Sequence, residues 1–420
     1  MHARLKNDPT ATRNSLWVLF FLMGIVSMAW VPRIPEIKRT LELSDGAFGL
    51  VLISSSAGAA LGAQFAGRLI HRFGSKKVTR VAQFVMPLGL VIMSQSSSVE
   101  MLVFGLFTLG AGYSAIDVSV NSQAVVVEKL LSKRYMSSFH GAWSAGAFAT
   151  TAFGGLVANF LSPRANLLLV ALVATILYLP ATSALLDSNH DEHKGVGEGE
   201  SSTVPWKGKI AIPLWIMGFG SVGALIAEGS ASDWGGILLE DHLGISKGLS
   251  ASAFAAFAFA MIISRFVGDA LYARFGMYET VTTLAIGSAV IWLVSIMVSW
   301  QVAPSSKNLA LTLIVIGFFV AGFGIGPVFP AFMLAAGTIK GIPASVGIAR
   351  VALLGIAGYF VGPTITGLIS EATSLPIAMI YPVAMLALGG LMAIEARKFE
   401  GKKFEGSDQP KGRVEGVRDV

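Results

Sequence analysis

The sequence predicts an all-α membrane protein of twelve transmembrane helices in two six-helix, pseudo-symmetric halves. Three observations carry this. The 420 residues are 54% hydrophobic and only 13% charged, about half the charge a soluble chain needs to keep its surface in water. Apolar stretches of about 20 residues, each long enough to cross a bilayer as a helix, recur twelve times. Finally, the chain repeats itself at an offset of 202 residues: Leu41-Glu42-Leu43-Ser44 leads through an apolar segment to Arg72-Phe73-Gly74, and Leu243-Gly244-Ile245-Ser246 leads to Arg274-Phe275-Gly276. A repeat near half the chain length in so apolar a protein points to two similar membrane halves.

The spans fall at about 15–32, 47–66, 79–97, 101–125, 138–160, 165–186, 210–232, 250–273, 280–300, 309–332, 345–369 and 375–396. The first follows Arg4, Lys6 and Arg13, as a signal peptide would. No small-x-small cleavage site follows it and eleven more spans do, so it reads as an uncleaved helix. The 47 glycines suit close helix packing in a bilayer. Between the sixth and seventh spans runs a polar stretch rich in Gly, Ser, Glu and His, which divides the spans six and six. The expected organisation is therefore a first half over 1–186, a cytoplasmic linker over 187–209, a second half over 210–396 and a disordered cytoplasmic tail over 397–420. His190 and His193 in the linker read as solvated side chains and not as a metal site.

Basic residues test the topology. Of the 31 Lys and Arg, 23 lie in the N-tail, the even-numbered connections and the C-tail, 6 lie in the odd-numbered connections, and Arg265 and Arg350 lie within spans. The bias places both termini in the cytoplasm. It also accounts for the net charge of +6 without nucleic acid. The chain has no cysteine, which excludes disulfides, thiolate metal sites and a Cys nucleophile. No phosphate-binding loop, metal-ligand spacing or nucleophile elbow is present, so neither an enzyme nor an ATP-driven pump is expected, and no cofactor or metal is implied.

The repeat extends further. Gly110-Ala111-Gly112 matches Gly322-Phe323-Gly324, and Gly146 and Gly155-Leu156 match Gly358 and Gly367-Leu368, all at an offset of 212. Six spans per half preserve orientation, so the halves are parallel and related by an axis along the membrane normal.

Gly67-Arg68-Leu69-Ile70-His71-Arg72-Phe73-Gly74-Ser75-Lys76-Lys77 resembles the signature loop between helices 2 and 3 of the major facilitator superfamily, Gly-x-Leu-x-Asp-Arg-x-Gly-Arg-Arg/Lys. His71 stands in place of the Asp and Ser75 in place of an Arg. The resemblance covers nearly the whole chain. It implies the major facilitator fold and gating by this loop and its second-half counterpart: Gly67, Arg68, His71, Arg72, Gly74 and Lys76 in the first half, Arg265, Asp269 and Arg274 in the second, with Arg350 at the start of span 11. Arg265 and Asp269, four apart, would pair along one helix face. Neutral His71 would complement the positive end of a facing helix less well than Asp, which predicts a weaker cytoplasmic gate.

A narrower resemblance is to the fucose-permease-like branch and related bacterial inner-membrane transporters. It rests on Asp117-Val118-Ser119-Val120-Asn121, on Phe139-His140-Gly141-Ala142-Trp143-Ser144-Ala145-Gly146, on Glu228 with Asp233-Trp234, and on Gly326-Pro327-Val328-Phe329-Pro330 and Gly362-Pro363. Val31 falls where that branch has an acidic residue on helix 1.

A carboxylate near the middle of a span costs about 2.5–3.5 kcal/mol to insert and must face a cavity, find a base or take a proton. Asp117 is the leading candidate, and it shares a helical face with Ser114 and Asn121. As a central-cavity carboxylate it would bind substrate or a proton; as a structural residue it would bond a neighbouring helix. His140, on a face with Ser137 and Ser144, could relay a proton or bind a hydroxyl, or be a packed histidine. Trp143 could stack on a sugar ring or fill core. Glu228, on a stripe with Ser221 and Ser232, is the second acidic candidate. Arg33 at the outer end of span 1 would snorkel or contact Glu36.

The expectation is a monomeric secondary transporter of the bacterial inner membrane. It would move a small polar, sugar-like solute by alternating access, driven by H⁺ or Na⁺. Efflux of amphipathic compounds is the alternative within transport, and a non-transporting receptor that kept the fold is the alternative outside it.

Overall fold

The computed structural model describes residues 7–133, 135–190, 206–339, 342 and 344–400. Linker residues 191–205, including His193, and tail residues 401–420 lie outside the described residues, as do the side chains of Ser137, His190 and Asp269. The described residues are helical and without strands.

The first half contains α1 (Pro9–Met28, continued by Ile34–Thr40), α2 (Asp45–Phe73), α3 (Ser75–Ser94), α4 (Val99–Leu131), α5 (Met136–Val157) and α6 (Pro163–Ser183). The second contains α7 (Ile212–Ile237), α8 (Ser252–Phe275), α9 (Met277–Val302), α10 (Lys307–Ile325, continued by Val328–Gly337), α11 (Ala344–Ala372) and α12 (Ile380–Arg397). Eleven helical stretches among the described residues are long and apolar enough to cross a membrane. The remaining one, α5, has 22 residues, about 33 Å at 1.5 Å per residue and so long enough to cross, but with its Ser, Thr, His and Gly residues it is less apolar than the other eleven.

Polar residues in the connections start and stop these helices. Side chains of Asp8, Ser44, Ser98, Ser162 and Ser306 accept hydrogen bonds from the first turns of α1, α2, α4, α6 and α10, replacing partners that a helix N-terminus lacks. Gly74 (φ 88°) ends α2 and Gly276 (φ 89°) ends α8, so the repeated Arg-Phe-Gly makes the same left-handed turn twice. Even the local stacking repeats: Arg72 lies 5.0 Å from the Phe73 ring and Arg274 5.1 Å from Phe275.

Each half packs on itself, with α4 against α2 and α3, α5 against α1, and α6 against α3; α7 packs against α11 and α12, and α10 against α8 and α9. The halves meet through α2 with α11 and α5 with α8. These two contacts exchange under the pseudo-two-fold. Both lie toward the face opposite the chain termini. There the Thr364 hydroxyl donates to the Gly49 carbonyl at 2.8 Å, the Gly46 N–H donates to Glu371 at 3.0 Å, and Gly155 packs on Ala251. Toward the terminal face the halves part. His140 is exposed, and a methyl group added at Gly141 would meet open space. The outer surface of the bundle is apolar, with Phe104, Phe153 and Phe266 among the exposed side chains. In water such a surface would aggregate; in lipid it is the surface a membrane span requires.

Candidate functional site

Polar side chains inside an apolar bundle need partners, and the described structure gathers them between the halves. On α4, Asn121 Nδ2 donates to Asp117 Oδ1 at 3.0 Å and to the Asp117 carbonyl at 2.9 Å. The i, i+4 spacing read from the sequence thus becomes a bonded carboxylate–amide pair. One turn earlier, Tyr113 lies within electrostatic reach of Asp117, of Glu228 on α7 and of Tyr359 on α11. Tyr359 in turn feels Glu228 and Asp233. Three carboxylates and two phenols from α4, α7 and α11 therefore share one region.

Further polar groups come from α5 and α8. Arg265 donates from Nη1 to Ser144 Oγ at 3.0 Å, a bond between the halves, and the Ser144 hydroxyl donates to the His140 carbonyl at 3.1 Å. The Arg265 charge acts on both Glu228 and His140. His140 meets Phe20 of α1 edge to face at 5.2 Å. Trp143 is half-buried against the core, and its Nε1 is buried with no hydrogen-bond partner among the described residues. Ser221 Oγ on α7 is left in the same condition. Glu228 is buried, and Asp233 accepts from the Ser232 hydroxyl at 2.8 Å.

The structure brings together Asp117, Asn121 and Glu228 with Tyr113 and Tyr359, and sets His140 and Glu228 within reach of the Arg265 charge; Trp143 packs against the core. Sequence reasoning assigned Arg265 to gating with Asp269. The Asp269 side chain lies outside the described residues, and Arg265 reaches across to the other half. Tyr113 was legible as the residue one turn before Asp117 on the same face. Tyr359 carries no local signal, because only the fold places it opposite Tyr113.

The signature-loop residues lie elsewhere. Arg68, His71 and Arg72 are exposed at the terminal face, while Lys76 is buried. Lys76 Nζ donates to the Leu185 carbonyl at 2.5 Å and pairs with Asp187 at 2.9 Å, tying the loop to the end of α6. Arg350 is buried and lies 4.2 Å from the Trp206 ring, at the boundary between the linker and the second half. Arg33 does not snorkel. It is fully buried, bonded through Nε to Asn166 at 3.1 Å and paired with Glu36 at 3.1 Å.

The chemistry of this site is recognition and charge balance: acceptors, donors, aromatic edges and one guanidinium, shared between two bodies that part toward one face. Residues 16–342 match the family model of the Major Facilitator Superfamily. An uncharacterised MFS-type transporter of Yersinia pestis is 30% identical over 383 residues, covering 90% of this chain and 94% of the relative. The membrane protein MosC of Rhizobium meliloti is 25% identical over 399 residues, covering 93% and 90%. Among solved structures, the nucleoside transporter NupG superposes with a TM-score of 0.70 at 13% identity, covering 93% of this chain and all of that one. A bacterial homologue of the human lysosomal transporter Spinster gives 0.70 at 14% identity, covering 92% and 96%. At these identities the likeness to the solved structures is one of fold. The family match over most of the chain and the full-length relatives together establish that this protein is a membrane transporter belonging to the Major Facilitator Superfamily.

Proposed function

We propose that the protein is a secondary active transporter that moves a small polar, sugar-like solute across the bacterial inner membrane by alternating access, coupled to protons. The observation that carries this is the polar group drawn from both halves, Asp117 with Asn121 on α4, Glu228 on α7, and Arg265 bonded to Ser144 and acting on Glu228 and His140. A buried set of acceptors and donors rejects a ligand that leaves it unpaired, so it selects a polar solute over a lipophilic one. Asp117 and Glu228 supply the reversible proton sites, and Arg265 senses the charge of Glu228. Proton binding at Glu228 would remove a negative charge that acts on the Arg265 guanidinium. The basic residues at the terminal face support cytoplasmic termini, which makes the described conformation inward-open. The two halves act as rigid bodies on either side of the cavity, and each monomer is complete in itself.

A thermal-shift screen on purified protein tests this reading with sugars, sugar acids, amino acids, peptides and lipophilic cations, and with Asp117→Asn in parallel. Stabilisation by a polar solute, weakened in the mutant, is the expected result. Stabilisation by lipophilic cations alone would overturn the solute reading in favour of efflux. An unchanged polar hit in Asp117→Asn would remove Asp117 from binding.

A further inference from the structure

A two-fold axis between parallel repeats brings each position near the axis against its own equivalent in the other half. Identical repeats would then oppose like charges wherever a charged residue lies near that axis. At the face opposite the termini this chain resolves the conflict by inversion. Lys38 and Arg39 of the first half correspond, at the repeat offset of 202, to Glu240 and Asp241 of the second, and Asp45 corresponds to Lys247. The inverted positions meet. Arg39 Nη1 lies 2.8 Å from Asp241, its own equivalent, and Arg39 Nη2 lies 2.5 Å from Glu240. Lys38 lies 3.7 Å from Asp241 and also holds Asp45 at 2.9 Å. Lys247 pairs with Glu36 of the first half.

We propose that this charge-inverted cluster is the latch that holds the outer side of the transporter shut. The groups are placed for a joint that must form and part in every cycle. Arg39 is 44% exposed and Lys247 39%, so these two cations stay in reach of water and return to it on opening, while their carboxylate partners are more buried. Several pairs act together on the same two bodies, so the closed state gains their sum.

The absence of cysteine allows a direct test. Thr40→Cys and Ser246→Cys, both exposed and on opposite halves, carry spin labels in lipid nanodiscs, and the distance distribution between them is measured. Arg39→Asp places three carboxylates together and is expected to raise the long-distance population about fivefold or more. Exchanging the charge across the axis, Arg39→Asp with Asp241→Arg, is expected to return the distribution toward that of the unaltered protein. Raising salt from about 0.01 M to about 1 M shortens the screening length from about 30 Å to about 3 Å, and is expected to lengthen the distance in the unaltered protein. That arm needs no substitution in the latch and so does not depend on a variant's folding. An unchanged distribution in folded Arg39→Asp, no recovery in the exchanged pair, or no response to salt would each overturn the latch. The transport reading would survive any of these if a bound solute still shifts the distribution.

Discussion

Gly110 on α4 faces α2 so closely that a methyl group there would stand 3.0 Å from the Ser55 carbonyl carbon, 3.1 Å from Ala59 N, and nearer still to the Ser55 oxygen. Its repeat equivalent Gly322 on α10 faces Phe257 in the same way, at 2.7 Å from the carbonyl carbon and 2.8 Å from Cα. Ser55 and Phe257 are themselves equivalents at the offset of 202. The sequence repeat is thus also a repeat of backbone approach, and Gly110→Ala should show its energy. Ordinary contact begins near 3.4 Å, and the opposing atoms are backbone that cannot rotate away. The helices must separate, and overpacking of this kind costs about 1–3 kcal/mol. Replacing helical Gly by Ala also gains about 1 kcal/mol of propensity. Gly67→Ala is the control, since a methyl group at Gly67 meets nothing within 4 Å. The propensity gain is common to both sites and cancels in the difference, so Gly110→Ala should lie about 1–3 kcal/mol below Gly67→Ala in stability, with Gly322→Ala close to Gly110→Ala. Unfolding in mild detergent, followed by helical circular dichroism, measures this. Equal stability of Gly110→Ala and Gly67→Ala would refute the argument that the glycines exist for helix approach.

Other perturbations test separate parts of the account. Arg33→Met breaks a buried pair and strips Asn166 and Glu36 of a partner, and should cost about 3 kcal/mol in the same assay; Arg33→Lys should not restore it, because an ammonium cannot serve both partners as the guanidinium fork does. Trp234 is fully buried, donates to the Pro363 carbonyl at 2.9 Å and meets Phe48 of the other half at 5.5 Å. Trp234→Phe should therefore cost about 1 kcal/mol from the lost bond, read as a lower unfolding midpoint. Arg397 and Glu279 pair at 2.7 Å, but both are exposed, so Arg397→Ala should change stability by less than about 0.5 kcal/mol. A larger loss would show that the end of α12 is held by more than surface charge.

Much of the fold was legible because lipid imposes length and polarity on each span. The twelve apolar segments fall on the twelve helices, with ends displaced by several residues where helices run past the apolar core. Asp45–Phe73 exceeds its 47–66 segment because Ser44 caps it early and Gly74 stops it late. The first span extends to Thr40 because Pro32 and Pro35 bend the chain without ending its helical course. Asp117 and Asn121 were legible as a pair because their spacing is local. Arg265 with Ser144, Tyr113 with Tyr359, and Arg39 with Asp241 were not, because each joins residues separated by more than a hundred positions. The offset of 202 did contain the last of these. The informative positions of the repeat are those where the sign of the charge reverses, Lys38 and Arg39 against Glu240 and Asp241.

Reconstituted proteoliposomes offer the most direct test of the central claim, that solute and proton share the site between the halves. The solute that stabilises the protein in the thermal screen is added outside, and internal pH is followed with a trapped dye. The account predicts that the solute drives acidification of the interior, and that both solute and proton fluxes are lost in Asp117→Asn. Solute entry without any proton movement, or full coupled flux in Asp117→Asn, would contradict it.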